Sequence, residues 1–225
     1  MKEWEIRNLL DIEKTIAAGL FAEKMYPWEV LPEIKEYILR LGVSLDPEIF
    51  EKRGDDVWIA KSAKVYPSAF IVGPCIIDEN AEVRHCAFIR GSVFVGKNAV
   101  VGNSTELKNV VLFDNVQVPH YNYVGDSVLG FKAHMGAGAI TSNVKGDHSL
   151  TVVRGGGAEL ATGMKKFGAI IGDYGEIGCG SVLNPASVIG RNSQVYPLSM
   201  IRGYVPESTI YKKQGEVAKK VVPEA

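Results

Sequence analysis

From Ile59 onward a large apolar residue returns at every sixth position: Ile59, Val65, Ile71, Ile77, Val83, Ile89, Val95, Val101, Leu107 and Phe113. Two places before most of these stands a small residue, as at Ala63, Ala69, Cys75, Ala81, Ala87 and Ala99. The spacing resumes at Ile171, Ile177, Leu183, Ile189, Val195 and Ile201, with Gly175, Ser181, Ser187, Ser193 and Ser199 as companions. A period of six is neither the 3.6 of a helix nor the 2 of a half-buried strand. It is the period of a solenoid whose hexapeptides each form one side of a three-sided coil. The large residue points inward and stacks on its equivalents, and the small one fits near the corner. The chain is therefore expected to be an all-β solenoid, a parallel β-helix of hexapeptide repeats over residues 55–202.

The period breaks twice. One step shortens after Phe113, where Val118 follows only five residues on. Between 141 and 167 the pattern lapses altogether, and three glycines run from Gly155 to Gly157. An excursion of this length on a rigid scaffold is where binding groups are often carried. Residues 1–54 read differently. Ile6, Leu9, Leu10, Ile16 and Leu20 recur at helical spacing, Pro27 interrupts, and "WEVLPEIKEYILRLG" predicts a second helix ending at Gly42. This is a helical arm without visible chemistry. A lysine-rich tail, 203–225, follows the last repeat.

Bulk properties narrow the function. The net charge of −1 lacks the summed attraction to phosphates that a dedicated nucleic-acid binder needs. No apolar run is long enough to span a membrane, and the N-terminus has no secretory pattern. Three widely spaced cysteines, Cys75, Cys86 and Cys179, read as free thiols in a reducing, cytoplasmic setting.

The segments "RGSVFVGKNAVVGNSTELKN", "HYNYVGDSVLG", "GAGAITSN" and "KKFGAIIGD" resemble the left-handed β-helix acyltransferases. Within that group they closely resemble the acetyltransferase domain of the bifunctional enzymes that make UDP-N-acetylglucosamine. The resemblance covers roughly Ile59 to Ile201. It implies a left-handed coil, a homotrimer with sites between subunits, acetyl-CoA as donor and a hexosamine-1-phosphate as acceptor. No glycine-rich "GxGTxxxP" opening accompanies it, so the acetyltransferase part alone is expected.

Acetyl transfer to an amine needs a base that keeps the amine neutral as it attacks the thioester. An imidazole titrating near neutrality suits this task, and the resemblance assigns it to His120. A sugar phosphate needs cations at fixed separation. Arg90 and Lys108 are eighteen residues apart, one full turn, so the period alone stacks them on one side of adjacent coils. Lys108 stands twelve residues before His120, so the cations meet the histidine most easily across a subunit boundary. The resemblance adds Tyr123 and Lys166 on the sugar phosphate, Glu106 beside them, and Asn143 and Ala137 on acetyl-CoA. Three positions depart from the family's pattern: His134 replaces a substrate-contacting asparagine, Cys179 a serine lining the CoA site, and Pro197 a small residue. These departures leave the acceptor open between glucosamine-1-phosphate, galactosamine-1-phosphate and another amino sugar. Two other classes stay in view. One is a trimeric sugar-nucleotide sensor that has lost turnover. The other is a zinc enzyme like the gamma-type carbonic anhydrases, for which the expected histidine pair five residues apart is missing.

Overall fold

A computed structural model describes residues 2–213 and 216–219. The end of the tail, 220–225, lies outside the described residues. The hexapeptides form a left-handed three-sided β-helix in which each side pairs in parallel with the same side of the next coil. Three interior stacks run its length. On the first face Ile59, Ile77, Val95, Leu112, Leu129, Ile171, Ile189 and Val205 sit in register. On the second, Val65, Val83, Val101, Val118 and Met135 lead to Ile177 and Val195. The third is Ile71, Ile89, Leu107, Val124, Thr141, Leu183 and Ile201. Nearly every rung from Ile77 onward is sealed from water, which is where the hydrophobic stabilisation of the coil resides.

The register corrects the phase of the repeat at Phe113. Leu112, not Phe113, pairs with Val95 and Leu129. The short step therefore falls between Leu107 and Leu112, and a second one follows between Val124 and Leu129. At both places one residue takes the whole corner in the left-handed region, Asn109 at φ 56° and Asp126 at φ 47°. Asn and Asp tolerate that conformation better than other non-glycine residues. Strands Glu106–Leu112 and Tyr123–Leu129 consequently run through the corner unbroken. Phe113 instead lies outside the stack, edge-to-face with Phe21 of the arm at 5.4 Å.

The arm lies along the first face. Outward positions there are also apolar: Trp58, Ile76, Phe94, Val111, Val128, Ile170 and Val188 are all at most 5% exposed. Trp4, Leu9, Trp28, Leu31, Ile34 and Ile38 are buried in the same core. The expected first helix is only Ile6–Leu9, followed by 3-10 turns at Ile12–Lys14, Ala18–Leu20 and Pro27–Val30. Its apolar spacing reflects a segment pressed against a sheet. Local breaks agree: the Asp11 side chain accepts from Glu13 N–H, and Thr15 is extended. The second helix starts at Ile34, later than expected, and ends at Gly42. A Cβ at Gly42 would stand 2.5 Å from the Trp58 ring, so close packing rather than a turn requires glycine there.

At each end of the coil one face gains an antiparallel strand. Phe50–Lys52 pairs antiparallel with Val57–Ala60, and Glu216–Lys219 with Thr209–Lys213. Coiling continues past 202 through Tyr204–Val205 and Thr209–Lys213. The excursion leaves after Ile140–Thr141 and contains an antiparallel hairpin, Val152–Gly155 with Ala158–Ala161. Val153 is buried, and Gly155 packs on Tyr204, so the hairpin lies over the last coils beside the arm.

Candidate functional site

Two edges of the third face carry the residues singled out in the sequence. At the edge shared with the second face, His120 pairs with Asn103. Gly138 N–H donates to the His120 carbonyl at 3.0 Å, Gly180 N–H to that of Ala137 at 2.8 Å, and Leu198 N–H to that of Cys179 at 2.9 Å. With Ile177 beside Val195, Pro197 comes level with Cys179. His120, Ala137, Cys179 and Pro197 thus form one column up the prism. The His120 ring is exposed, and its backbone is fixed from below. Asn122, 2% exposed, accepts from His120 N–H and donates to the carbonyls of Gly136 and Ala139. Thr105 completes this corner by donating to the Val118 carbonyl.

Across the third face, register sets Glu106 beside Phe88 and Tyr123. Arg90 is level with Lys108, as the period required, for Arg90 N–H donates to the Leu107 carbonyl. Both cations are already paired within the chain. Arg90 meets Glu106 at 2.6 Å. Lys108 Nζ lies 3.0 and 3.1 Å from the two oxygens of Asp126. Asp126 was not singled out from the sequence, yet it is the hub of this edge. Its carboxylate, 5% exposed, also accepts from Asn109 at 3.0 Å and from the Asn143 amide. Asn109 in turn donates to the Leu31 carbonyl of the arm at 3.1 Å. The available signal was the five-residue step from Val124 to Leu129, which leaves a single corner residue for a job glycine usually does.

Tyr123 joins the same network. Burial, together with the nearby Asp126 and Glu106 carboxylates, raises its phenol above its ordinary pKa. Lys166 stands at the root of the excursion, where Val144 bridges to it and Phe167 N–H donates to the Asn143 carbonyl. Among the described residues no carboxylate pairs with Lys166. His134 is placed elsewhere: its Nδ1 is 2.9 Å from Glu176, at the far edge of the second face beside Lys132 and Tyr174. Within one chain it does not join the Lys108–Tyr123 group. Of the histidines, His85 is two coils below His120 in the same column and packs against Tyr66 with the rings tilted by 47°. Among the described residues no three His, Cys, Asp or Glu side chains converge as a metal set. No helix there is long and apolar enough to cross a membrane.

A coil of this kind with such edges defines the class: the chain is a left-handed β-helix protein built of hexapeptide repeats. More particularly, it resembles the C-terminal acetyltransferase domain of the bifunctional GlmU proteins. The family model described as the GMPPB C-terminal domain matches residues 71–164. The bifunctional protein GlmU of Methanococcus maripaludis strain S2 is 38% identical over 114 residues, 50% of this chain and 28% of that one. The chain thus spans less than a third of the length of the bifunctional relatives it matches. A putative uncharacterized acetyltransferase, YaiX of Escherichia coli K12, is 29% identical over 188 residues, 81% of each chain. Among solved structures, a hexapeptide transferase family protein from Anaplasma phagocytophilum aligns at a TM-score of 0.37 and 16% identity, covering 71% of this chain and 80% of that one.

Proposed function

We propose that the protein transfers acetyl from acetyl-CoA to the amine of a hexosamine-1-phosphate, glucosamine-1-phosphate or galactosamine-1-phosphate. The observation that carries the reading is the column of His120, Ala137, Cys179 and Pro197, one face-width from the Arg90–Glu106–Lys108–Tyr123–Asn143 network. His120 takes the proton of the attacking amine, and the C–S bond of the thioester breaks as the amide C–N bond forms, releasing the CoA thiol. The small residues above His120 let the pantetheine arm lie against backbone. Tyr123, Lys108 and Lys166 orient the acceptor. The column and the network lie on opposite edges of one face, an arrangement that suits a site completed between subunits, as the homotrimer implied by the resemblance would provide.

The similarity to GlmU proteins supports this reading, and their activity is carried over as part of the proposal. The test is consumption of acetyl-CoA by the purified chain offered glucosamine-1-phosphate, galactosamine-1-phosphate and aminated nucleotide sugars in parallel. Turnover on any of these amines, lost in His120→Ala, is the expected result. A wild-type chain inert toward every amine favours the sensor reading instead.

A further inference from the structure

The edge that carries Arg90 and Lys108 continues upward through Gly125, Ser142 and Asn184 to Arg202. Its two ends differ in charge. At the lower end Arg90 and Glu106 cancel, as do Lys108 and Asp126, so the network is polar but neutral. At the upper end, between the excursion and the last coils, a cleft of about 760 Å³ is lined by Ser142, Asn184, Lys145, Arg154 and Arg202. Among the described residues Arg202 has no carboxylate partner. One acid, Asp147, is in the lining, 3.8 Å from Lys145 and turned to the Ser149 N–H and hydroxyl; the other, Glu159 beside Arg154, is an exposed surface partner of the kind that contributes little. One wall is apolar, made of Val144, Val152, Pro185 and the ring of Tyr204.

A single phosphate requires neither this volume nor this wall. Two adjacent phosphates suit several separated cations, guanidinium forks above all, and a nucleoside suits the apolar and aromatic side. We infer that this cleft binds a nucleoside diphosphate, the extension by which the proposed hexosamine-1-phosphate acceptor is continued beyond its own phosphate. The assignment to the acceptor rests on the acetyl-transfer reading; binding in the cleft does not. The cleft lies on the edge of Lys108 and Tyr123, away from the column of His120, Ala137 and Cys179. For that reason it is given to the acceptor and not to the cofactor.

Calorimetric titration of the full chain with inorganic pyrophosphate, uridine diphosphate, adenosine diphosphate and adenosine 3′,5′-bisphosphate, without CoA, tests the inference. The diphosphates are expected to bind, the nucleosides more tightly than pyrophosphate, and Arg202→Ala should weaken all by about tenfold. Arg154→Ala should weaken them less, since that side chain must first leave Glu159. Unchanged melting of both variants verifies the fold. No binding, or wild-type affinity in Arg202→Ala, overturns the site. Binding only through adenosine 3′,5′-bisphosphate, with the other nucleotides inert, gives the cleft to CoA and also overturns the assignment. Turnover on a hexosamine-1-phosphate with no diphosphate binding would sink this inference while leaving the proposed activity standing. Diphosphate binding without turnover on any amine would do the reverse.

Discussion

The first and third faces of the same coil are built to opposite specifications. On the first, strands such as Cys75–Ile77, Val93–Val95 and Ala169–Ile171 are apolar at every position and closed to water on both sides, inward by the stack and outward by the arm. A strand buried on both faces has no reason to alternate. On the third face only the inward residue is sealed. Phe70, Phe88 and Met200 are open to solvent, and Glu106 and Tyr123 stand among them. The contrast teaches where stability and chemistry are kept apart. Covering a face adds burial, at roughly 25 cal/mol per Å² of apolar area, but removes it from any ligand. The open face forgoes that gain and keeps its polar groups accessible.

The sharpest way to break this division is to place a charge under the arm. Phe94→Asp, at a position with no exposure, should cost more than about 4 kcal/mol. A chemically denatured series would show a folded baseline lost or greatly shortened. If the variant melts like the wild type, the arm is not seated as described. His120→Ala tests the opposite side. Because the ring is exposed, melting should stay within about 0.5 kcal/mol of wild type, while kcat falls by about 10²–10⁴-fold. Equal losses of stability and activity would erase the distinction.

Asp126 sits where the two regions touch, since Asn109 links it to the Leu31 carbonyl. Asp126→Asn should lower stability by about 1–2 kcal/mol and raise the KM for the acceptor more than it lowers kcat. Combined with Lys108→Met, the loss should fall short of the sum of the two single variants, a coupling that a double-mutant cycle on melting measures. Additive losses would mean that the carboxylate does not act through the lysine.

The last prediction concerns Asp78, wholly buried at a corner, with Oδ1 accepting from Glu79 N–H and Oδ2 unpartnered. Burial pushes its pKa up from 3.8 to about 6. A carboxyl raised on folding holds its proton in the native state after the unfolded chain has lost its own. Stability therefore falls as pH climbs from about 4 to about 6, and the whole penalty is present above that. Asp78→Asn should flatten this slope, read as the midpoint of urea unfolding at each pH. An unchanged slope would assign it to other carboxylates.

Much of the coil was readable because its period is long, regular and unlike any other. Phe113 was misphased because Val111, Leu112 and Phe113 are all large and apolar, so a one-residue deletion left no mark in hydropathy. The buried outer column was visible as apolar triplets, but a period of six credits only one residue in each. The arm misled for a related reason: apolar residues spaced to meet a sheet at Ile6, Leu9 and Leu10 also fit a helix. Arg90 and Lys108 were placed level by counting alone, whereas their neutralising partners were not. Glu106 and Asp126 become neighbours only through stacking of coils, and Asp126 looked like an ordinary turn residue.

The excursion departs from one level of the prism and rejoins at the next, with Ile170 against Val128 and Ile171 against Leu129. Seen from the stack, nothing has been inserted. Its length is therefore free to drift, because lengthening a surface loop costs only slowly growing closure entropy. Whatever segment can start near Val144 and finish near Lys166 inherits a rigid seat beside the acceptor edge. Selectivity in chains of this architecture can then change by splicing at a single joint, with the scaffold indifferent to the exchange.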